Sequence, residues 1–165
     1  MPALQELEEY IESHQDRFYR LAFTYVKDPD AAMGVVQNAV VQALTHVHTL
    51  REPAYLKTWF YRILVNEGLG YLRKNKRVLP AEEAPEAFLS VGDPCEDIAR
   101  RLDVYRAVSR LKPKLRTVVV LRFYEDMPLS EIAQVTGGNI NTVKSRLYKA
   151  LELLRAEMEG GGPEE

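Results

Sequence analysis

Polar side chains of the kinds that bind nucleic acid are concentrated close to the C-terminal end of the chain. They are Asn141, Thr142, Ser145, Arg146 and Lys149. Asn can pair with the edge of adenine, Arg and Lys can pair with guanine, and each can also bind a phosphate group. Their spacing places them on one side of a helix, which predicts a surface that contacts duplex DNA. Periodicity alone leaves open an ordinary helical hairpin whose cations are simply solvated.

The residues that would position this surface have the pattern of a helix-turn-helix. Pro128 suits the first turn of a short helix, Gly137–Gly138 permits a sharp left-handed turn, and Asn139 can cap the next helix. The apolar face of the first helix is Leu129, Ile132 and Ala133. The apolar stripe of the second helix is Ile140, Val143, Leu147, Leu151 and Leu154. A second helix with a polar outer face is typical of a protein that binds the major groove.

A second group of residues, in the middle of the chain, mixes aromatic rings with cations. Aromatic faces can stack on unpaired bases while cations follow the phosphate backbone, so this mixture suits an opened DNA strand. The alternative is that the aromatics are core and the cations complement a helix C-terminus. We expect Trp59 to be mainly structural, and Arg62, Asn66 and the 73–77 cluster to contact DNA. The group is Tyr55, Lys57, Trp59, Tyr61, Arg62, Tyr71, Arg73, Lys74, Lys76 and Arg77.

Composition indicates a soluble globular protein of one ordinary domain or two small ones, with 165 residues, of which 46% are hydrophobic and 28% charged. No run of about 18 apolar residues occurs, so no membrane insertion is predicted. Cys95 is the only cysteine, which favours a reducing, cytoplasmic location. No metal-ligand cluster, carboxylate pair or phosphate loop stands out, so we expect no metal, no cofactor and no enzymatic activity.

The net charge of −2 conceals an uneven distribution along the chain. Residues 1–16 carry five acidic and no basic side chains, and residues 17–78 carry ten basic and four acidic ones. Residues 79–95 carry four acidic and no basic side chains, and residues 96–165 carry twelve basic and eleven acidic ones. Two segments rich in cations therefore flank an acidic connector.

Apolar periodicity predicts an all-α fold with two small helical domains, one of three helices and one of four. The first domain comprises one long helix, with an apolar stripe from Leu4 to Tyr25 and an end near Asp28-Pro29, then a second helix, and a third from near Pro53 to about Arg77. The second helix has as its buried side Val35, Val36, Ala39, Val40, Ala43, Leu44 and Val47. Residues 79–95, rich in Pro and Glu, have no sustained periodicity and are predicted to be a flexible linker. Helices at 96–111 and 113–124 then precede the helix-turn-helix.

Three segments give the chain a resemblance to a known family. They are FYRLAFTYVKDPDAA, LKTWFYRILVNEGLGYLRKNKR and LKPKLRTVVVLRFYEDMPLSEIAQVTGGNINTVKSRLYKALELLR. Together they resemble the extracytoplasmic-function (ECF, group IV) RNA polymerase sigma factors of the primary-sigma family. The resemblance covers residues 10 to 158, and the order of TWFYRILVN before TVKSRLYKAL is its most specific part.

The resemblance implies that the two predicted domains have different functions. Residues 1–78 match sigma region 2, which binds core RNA polymerase and melts the −10 element, and residues 96–158 match region 4, which recognises the −35 element. Residues 159–165 would be a disordered tail. Promoter DNA, core polymerase and an anti-sigma factor are the implied partners. The loop from His48 to Tyr55 matches one that captures a flipped base, at an unstacking cost of a few kcal/mol.

The resemblance also assigns residues. The −35 positions are Asn139, Asn141, Thr142, Lys144, Ser145, Arg146 and Lys149. The resemblance matches Asn66 to a polar residue that helps to hold the −10 element, and the mixture of aromatic rings and cations supplies the other predicted −10 and melting positions. Together these positions are Tyr55, Lys57, Trp59, Arg62, Asn66, Arg73 and Lys74. The polymerase-binding positions are Asp30, Met33, Val36 and Gln37.

The chain departs from the family where an acidic segment usually binds polymerase. Met33, Gly34 and Asn38 stand at the expected acids, so an apolar contact by Met33 and Val36 is an alternative. Two other functions stay open on the sequence: a degenerate sigma-like subunit that needs a second protein, and a stand-alone helix-turn-helix regulator.

Overall fold

The computed structural model of the protein describes residues 2–75 and 98–160. The described residues form two compact units, and every regular element in them is helical. The predicted all-α, two-domain fold is therefore confirmed. The predicted linker at 79–95 and the cations Lys76 and Arg77 lie outside the described residues. No described helix is both long and apolar enough to cross a bilayer.

Four α-helices and two short 3-10 helices build the first unit. Helices α1 to α4 span Pro2–Ser13, Gln15–Val26, Pro29–His46 and Leu56–Lys74, and the 3-10 helices Val47–Thr49 and Pro53–Tyr55 lie between α3 and α4. Asp28 begins α3 by accepting the Ala31 backbone N–H at 2.9 Å, and Pro29 occupies the first turn. The start of α3 is thus specified locally.

The prediction of one helix from Leu4 to Tyr25 is wrong, because the chain breaks at His14, where φ is −127° and ψ is 23°. The His14 N–H donates to the Ile11 carbonyl at 3.3 Å, as in a tighter turn. The Tyr10 carbonyl instead lies 2.9 Å from the His14 ring Nδ1, and the Ser13 hydroxyl donates to Glu9 at 2.8 Å. The His14 ring thus occupies the Tyr10 carbonyl, which a continuous helix would bond to the His14 N–H, and the predicted three-helix domain has four helices.

Aromatic rings from α2 and α4 form the centre of the first unit. The Phe18 and Phe60 ring centroids lie 4.5 Å apart, and the Tyr61 ring meets Phe18 edge-on at 5.6 Å. All three side chains are buried. Gly68 brings α4 close to α2, since a Cβ there would lie 2.3 Å from the Tyr25 ring. This packing fixes which side of α4 faces solvent.

The second unit contains the four predicted helices. Helices α5 to α8 span Ile98–Ser109, Pro113–Val119, Leu129–Thr136 and Ile140–Gly160, and a π-helical turn, Val120–Tyr124, continues α6. The helical segment that begins at Pro113 was predicted to end near Tyr124, and the π-helical turn does end there; Arg122 in this turn donates to the Met127 carbonyl at 3.2 Å. Helix α8 includes Glu159 and Gly160, which were predicted to be in a disordered tail. The Arg110–Glu157 ion pair helps to hold these last turns.

Candidate nucleic-acid interface

The turn between α7 and α8 is built as its residues predict. Gly137 has a φ of +76°, which an L side chain rarely adopts, and the Gly138 N–H donates to the Ala133 carbonyl at 3.2 Å. This pattern of a left-handed glycine followed by a bond back to the helix is a Schellman ending. The Thr142 N–H then donates to the Asn139 Oδ1 at 2.9 Å, so the predicted cap of α8 is confirmed.

One row of exposed side chains lies opposite the buried side of α8. Val143, Leu147 and Ala150 are buried, and at 3.6 residues per turn the opposite side carries Asn141 and Ser145, both exposed. Ile140 was predicted inward but is 41% exposed, since it is the first residue of α8 and precedes Val143, the first buried position of the helix.

Cationic and hydroxyl side chains flank this row on both sides. Lys144 is exposed on one flank, and Thr142, Arg146 and Lys149 follow the other. Arg146 is half-buried, and an arginine in such a position can cover apolar surface with its stem while its guanidinium reaches outward. A central polar row between two cationic flanks matches the geometry of base edges between two phosphate backbones.

Tyr148 extends the exposed row and was missed from the sequence. Its side chain is 65% exposed and lies one turn beyond Ser145 on the same side of α8. The spacing 141, 145 and 148 was available as a signal, but an aromatic residue next to Leu147 resembles a core position. An exposed phenol offers both an apolar ring and a hydroxyl to DNA.

Helix α4 presents most of the predicted −10 residues on one side, and Lys57 and Lys74 are the exceptions. Arg62, Asn66 and Arg73 are exposed at helical spacing, and Trp59 beside them is half-buried. Tyr55 is 55% exposed in the 3-10 helix that precedes α4. Lys57 is half-buried on the other side of the helix, so the structure does not bring it together with Arg62.

Lys74 is exposed in the last turn of α4, rotated toward α3. It lines a groove between the two helices together with Asn66 and Arg73. Lys74 therefore faces a different direction from Arg62, although the two were predicted to act on the same DNA.

The outer face of α3 holds most of the predicted polymerase-binding residues. Asp30, Met33 and Gln37 are exposed, but Val36 is only 5% exposed, which contradicts its predicted role as a contact. Val36 turns inward because α3 packs against α2 and α4 on that side. Val41 and Leu44 were not predicted as contacts, and they extend the Met33 row with exposures of 60% and 40%. Leu44 was predicted to be buried, so that prediction is wrong.

Tyr19 lies beside the start of α3, where its ring centroid is 5.9 Å from that of Phe23. Partial burial raises the pKa of the Tyr19 phenol, and the carboxylates of Asp28 and Asp30 raise it further. Each effect disfavours the phenolate. The carboxylates of Asp28 and Asp30 therefore place negative charge beside Tyr19 at the start of α3.

Comparisons with known proteins agree with this arrangement. The family models for sigma-70 region 2 and sigma-70 region 4 match residues 10–78 and 101–154. RNA polymerase sigma factor SigV of Bacillus subtilis is 44% identical over 148 residues, covering 90% of this chain and 88% of that protein. The RNA polymerase sigma-E factor of Streptomyces avermitilis is 35% identical over 155 residues, covering 93% and 86%.

A solved structure shows the same fold. The sigma factor RpoE of Bartonella quintana, in complex with the anti-sigma factor NepR, matches with a TM-score of 0.74 at 19% identity, covering 92% of this chain and 96% of that one. Several more distant relatives carry the name ECF RNA polymerase sigma factor. The chain therefore belongs to the extracytoplasmic-function group of RNA polymerase sigma factors, which direct transcription initiation at promoters.

Proposed function

We propose that this chain is an alternative sigma factor that acts in the cytoplasm, with residues 1–78 binding core polymerase and the −10 element and residues 96–158 binding the −35 element. It carries out no covalent chemistry; its binding energy goes into recognition and strand separation. The observation that carries this proposal is the exposed row on α8, Asn141, Ser145 and Tyr148, between two cationic flanks.

On the −35 element, α8 enters the major groove with its N-terminal half. Asn141 and Ser145 reach base edges, and Tyr148 contacts a thymine methyl group or a sugar with its ring. Lys144, Arg146 and Lys149 bind the phosphates on either side. Asn139 acts mainly by capping α8, because its side-chain oxygen already accepts the Thr142 N–H.

On the −10 element, α4 holds the opened strand. Arg62 and Arg73 follow its phosphates, Asn66 binds a base, and the exposed ring of Tyr55 stacks on another. Stacking contributes about 1–3 kcal/mol per base, enough to offset part of the cost of unpairing. Trp59 supports this surface from its half-buried position.

Run-off transcription from a random promoter library with purified core polymerase tests the whole proposal. We expect transcripts from a subset of templates that share two sequence elements. With such a template, Arg146→Ala and Lys149→Ala should weaken the −35 footprint, and Arg62→Ala and Asn66→Ala should reduce permanganate reactivity of −10 thymines. Unchanged footprints in both α8 variants would refute the −35 assignment, and absence of any transcript would refute sigma activity by the chain alone.

Core polymerase binds the outer face of α3 through apolar contact. Met33, Val41 and Leu44 form one exposed row, with Gln37 among them and Asp30 at its N-terminal end. Apolar burial contributes about 25 cal/mol per Å² and is not screened by salt, whereas an acidic interface would weaken as salt increases. The row therefore compensates for the acids that this segment lacks.

Variants of α3 test this docking mode. Val41→Asp and Leu44→Asp should reduce the yield of holoenzyme strongly, and Gln42→Asp, an exposed neighbour on another side of α3, should not. Holoenzyme should also persist when the salt concentration is raised. If Gln42→Asp impairs assembly as much as Val41→Asp, the outer row is not the contact.

A second candidate function follows from the absence of acidic residues at Met33, Gly34 and Asn38 of α3, where the family usually has them. Without them the chain could be a sigma-like subunit that binds polymerase only beside a second protein. Restoration of transcripts by a cell extract, when core polymerase and this chain alone give none, would favour that function. In either case an anti-sigma factor is the partner that we expect to control access to polymerase.

A further inference from the structure

A groove of about 440 Å³ lies in the first unit, between the first half of α3 and the last half of α4. Sites for small molecules have volumes of about 300–1,000 Å³, so the groove is large enough for a ligand. It is separate from the loop expected to capture a flipped base. Tyr55, at the end of that loop, and Gly70, in the groove, lie at opposite ends of α4, about 22 Å apart at 1.5 Å per residue.

Two glycines keep this groove open from opposite walls. A Cβ at Gly34 on α3 would meet nothing within 4 Å, and one at Gly70 on α4 would meet only the Arg73 guanidinium at 3.5 Å. Packing between the helices therefore does not require glycine at either position. Glycine inside a helix costs about 1 kcal/mol relative to alanine, so both glycines weaken their helices without a packing gain.

The residues that line the groove are cationic at one end and carry amide and carboxylate groups toward the other. The Arg73 and Lys74 side chains supply positive charge near the C-terminal end of α4. Asn38 from α3 and Asn66 and Glu67 from α4 supply amide and carboxylate groups farther along the groove. Amides and carboxylates accept hydrogen bonds from the exocyclic amines of bases, and guanidinium and ammonium groups bind phosphate.

We infer that this groove is a binding site for one unpaired nucleotide, with the base between Gly34 and Gly70 and the phosphate at Arg73 and Lys74. Adenine and cytosine are preferred over thymine, because they present an amine to Asn38, Asn66 and Glu67. The nucleotide comes either from solution or from a single strand that passes over α4. The strand source rests on the proposed function, and the free-nucleotide source does not.

The test uses the full chain without polymerase, so its outcome is independent of run-off transcription. The side-chain amide resonances of Asn38 and Asn66 are followed by NMR during titration with dAMP, dCMP, dTMP, inorganic phosphate and a short oligodeoxyadenylate. We expect saturable shifts with dAMP and dCMP at lower concentration than with dTMP. Tighter binding of the oligonucleotide than of dAMP identifies a strand as the source, and the reverse identifies a free nucleotide.

Variants decide whether the groove itself is the site. Gly34→Leu fills the groove from a position with open space, and we expect it to weaken binding about ten-fold or more. Gln42→Leu places a leucine at an exposed site of α3 outside the groove, and this control should bind as the parent does. The inference is overturned if no nucleotide gives saturable shifts, if Gly34→Leu binds unchanged, or if inorganic phosphate alone shifts Asn38 and Asn66 equally.

Discussion

Gly68 shows how a single missing side chain sets the distance between two helices. A Cβ at this position would lie 2.3 Å from Cδ2 of Tyr25, whose ring is 1% exposed and has little room to move. We expect Gly68→Ala to destabilise the first unit by about 1–3 kcal/mol through overpacking. The gain of about 1 kcal/mol in helix propensity offsets only part of this loss when the overpacking is in the upper part of that range. Denaturant unfolding followed by Trp59 fluorescence measures it.

Gly70→Ala is the matched control, since its Cβ would make only an ordinary contact at 3.5 Å with Arg73. That variant should raise the free energy of unfolding of the same unit by about 1 kcal/mol or less, because alanine has the higher helix propensity, and the unfolding midpoint should rise accordingly. Trp59 is the only tryptophan and lies in α4, so its fluorescence reports on the first unit alone. Equal effects of the two substitutions would show that Tyr25 yields to the added methyl group.

Tyr19 makes the first unit sensitive to alkaline pH. Burial, followed by the charges of Asp28 and Asp30, raises its pKa above the ordinary value of 10.0. Between the unfolded and the folded pKa the native state binds more protons, so stability falls as pH rises. The contribution is complete below pH 10 and is lost as pH rises through the folded pKa.

We therefore expect the denaturant midpoint of Tyr19→Phe to change less with pH above pH 10 than the midpoint of the parent does. Trp59 fluorescence in a denaturant series at several pH values provides the measurement. Tyr55→Phe, at an exposed phenol, is the control and should follow the parent. A parallel decline in Tyr19→Phe would mean that other groups cause the alkaline loss.

At the scale of elements, the helices that were predicted correctly are those whose signals are local. Asn139 and Gly137 specify the turn before α8 through atoms within a few residues, so the sequence pattern contained the geometry. The break at His14 depends on the His14 side chain, which competes for a backbone carbonyl. The apolar residues keep their helical spacing across this position, so the spacing alone could not predict the break. The burial of Val36 and the exposure of Leu44 depend on how α3 is rotated against α2 and α4, which is a tertiary property.

The cap of α8 offers a prediction at this scale. Asn139→Ala removes the 2.9 Å bond to the Thr142 N–H and should destabilise the second unit by about 1 kcal/mol. Hydrogen exchange at the first amides of α8 should accelerate, and promoter affinity should fall because the N-terminal turn frays. Asn139→Ser keeps a capping oxygen and should restore both. If Asn139→Ser restores protection but not affinity, Asn139 also contacts DNA directly.

At the scale of the whole molecule, the net charge of −2 says little about DNA binding. Acidic side chains are concentrated in residues 1–16 and 79–95, and the surfaces proposed to meet DNA lie in the segments rich in cations. Local charge, and not the sum, determines how many counterions a bound phosphate backbone releases. The salt dependence of promoter binding therefore counts the cations that touch phosphate.

The final prediction uses that count. For holoenzyme on a promoter fragment, Lys144→Gln with Lys149→Gln should lower the slope of log K against log salt by about 2, since each phosphate contact contributes about 1. Ser145→Ala should instead change the preferred −35 sequence and leave the slope as it is, because a base contact releases no counterion. A parental slope in the lysine variant would show that both ammonium groups remain in solvent, and that α8 approaches DNA by another side.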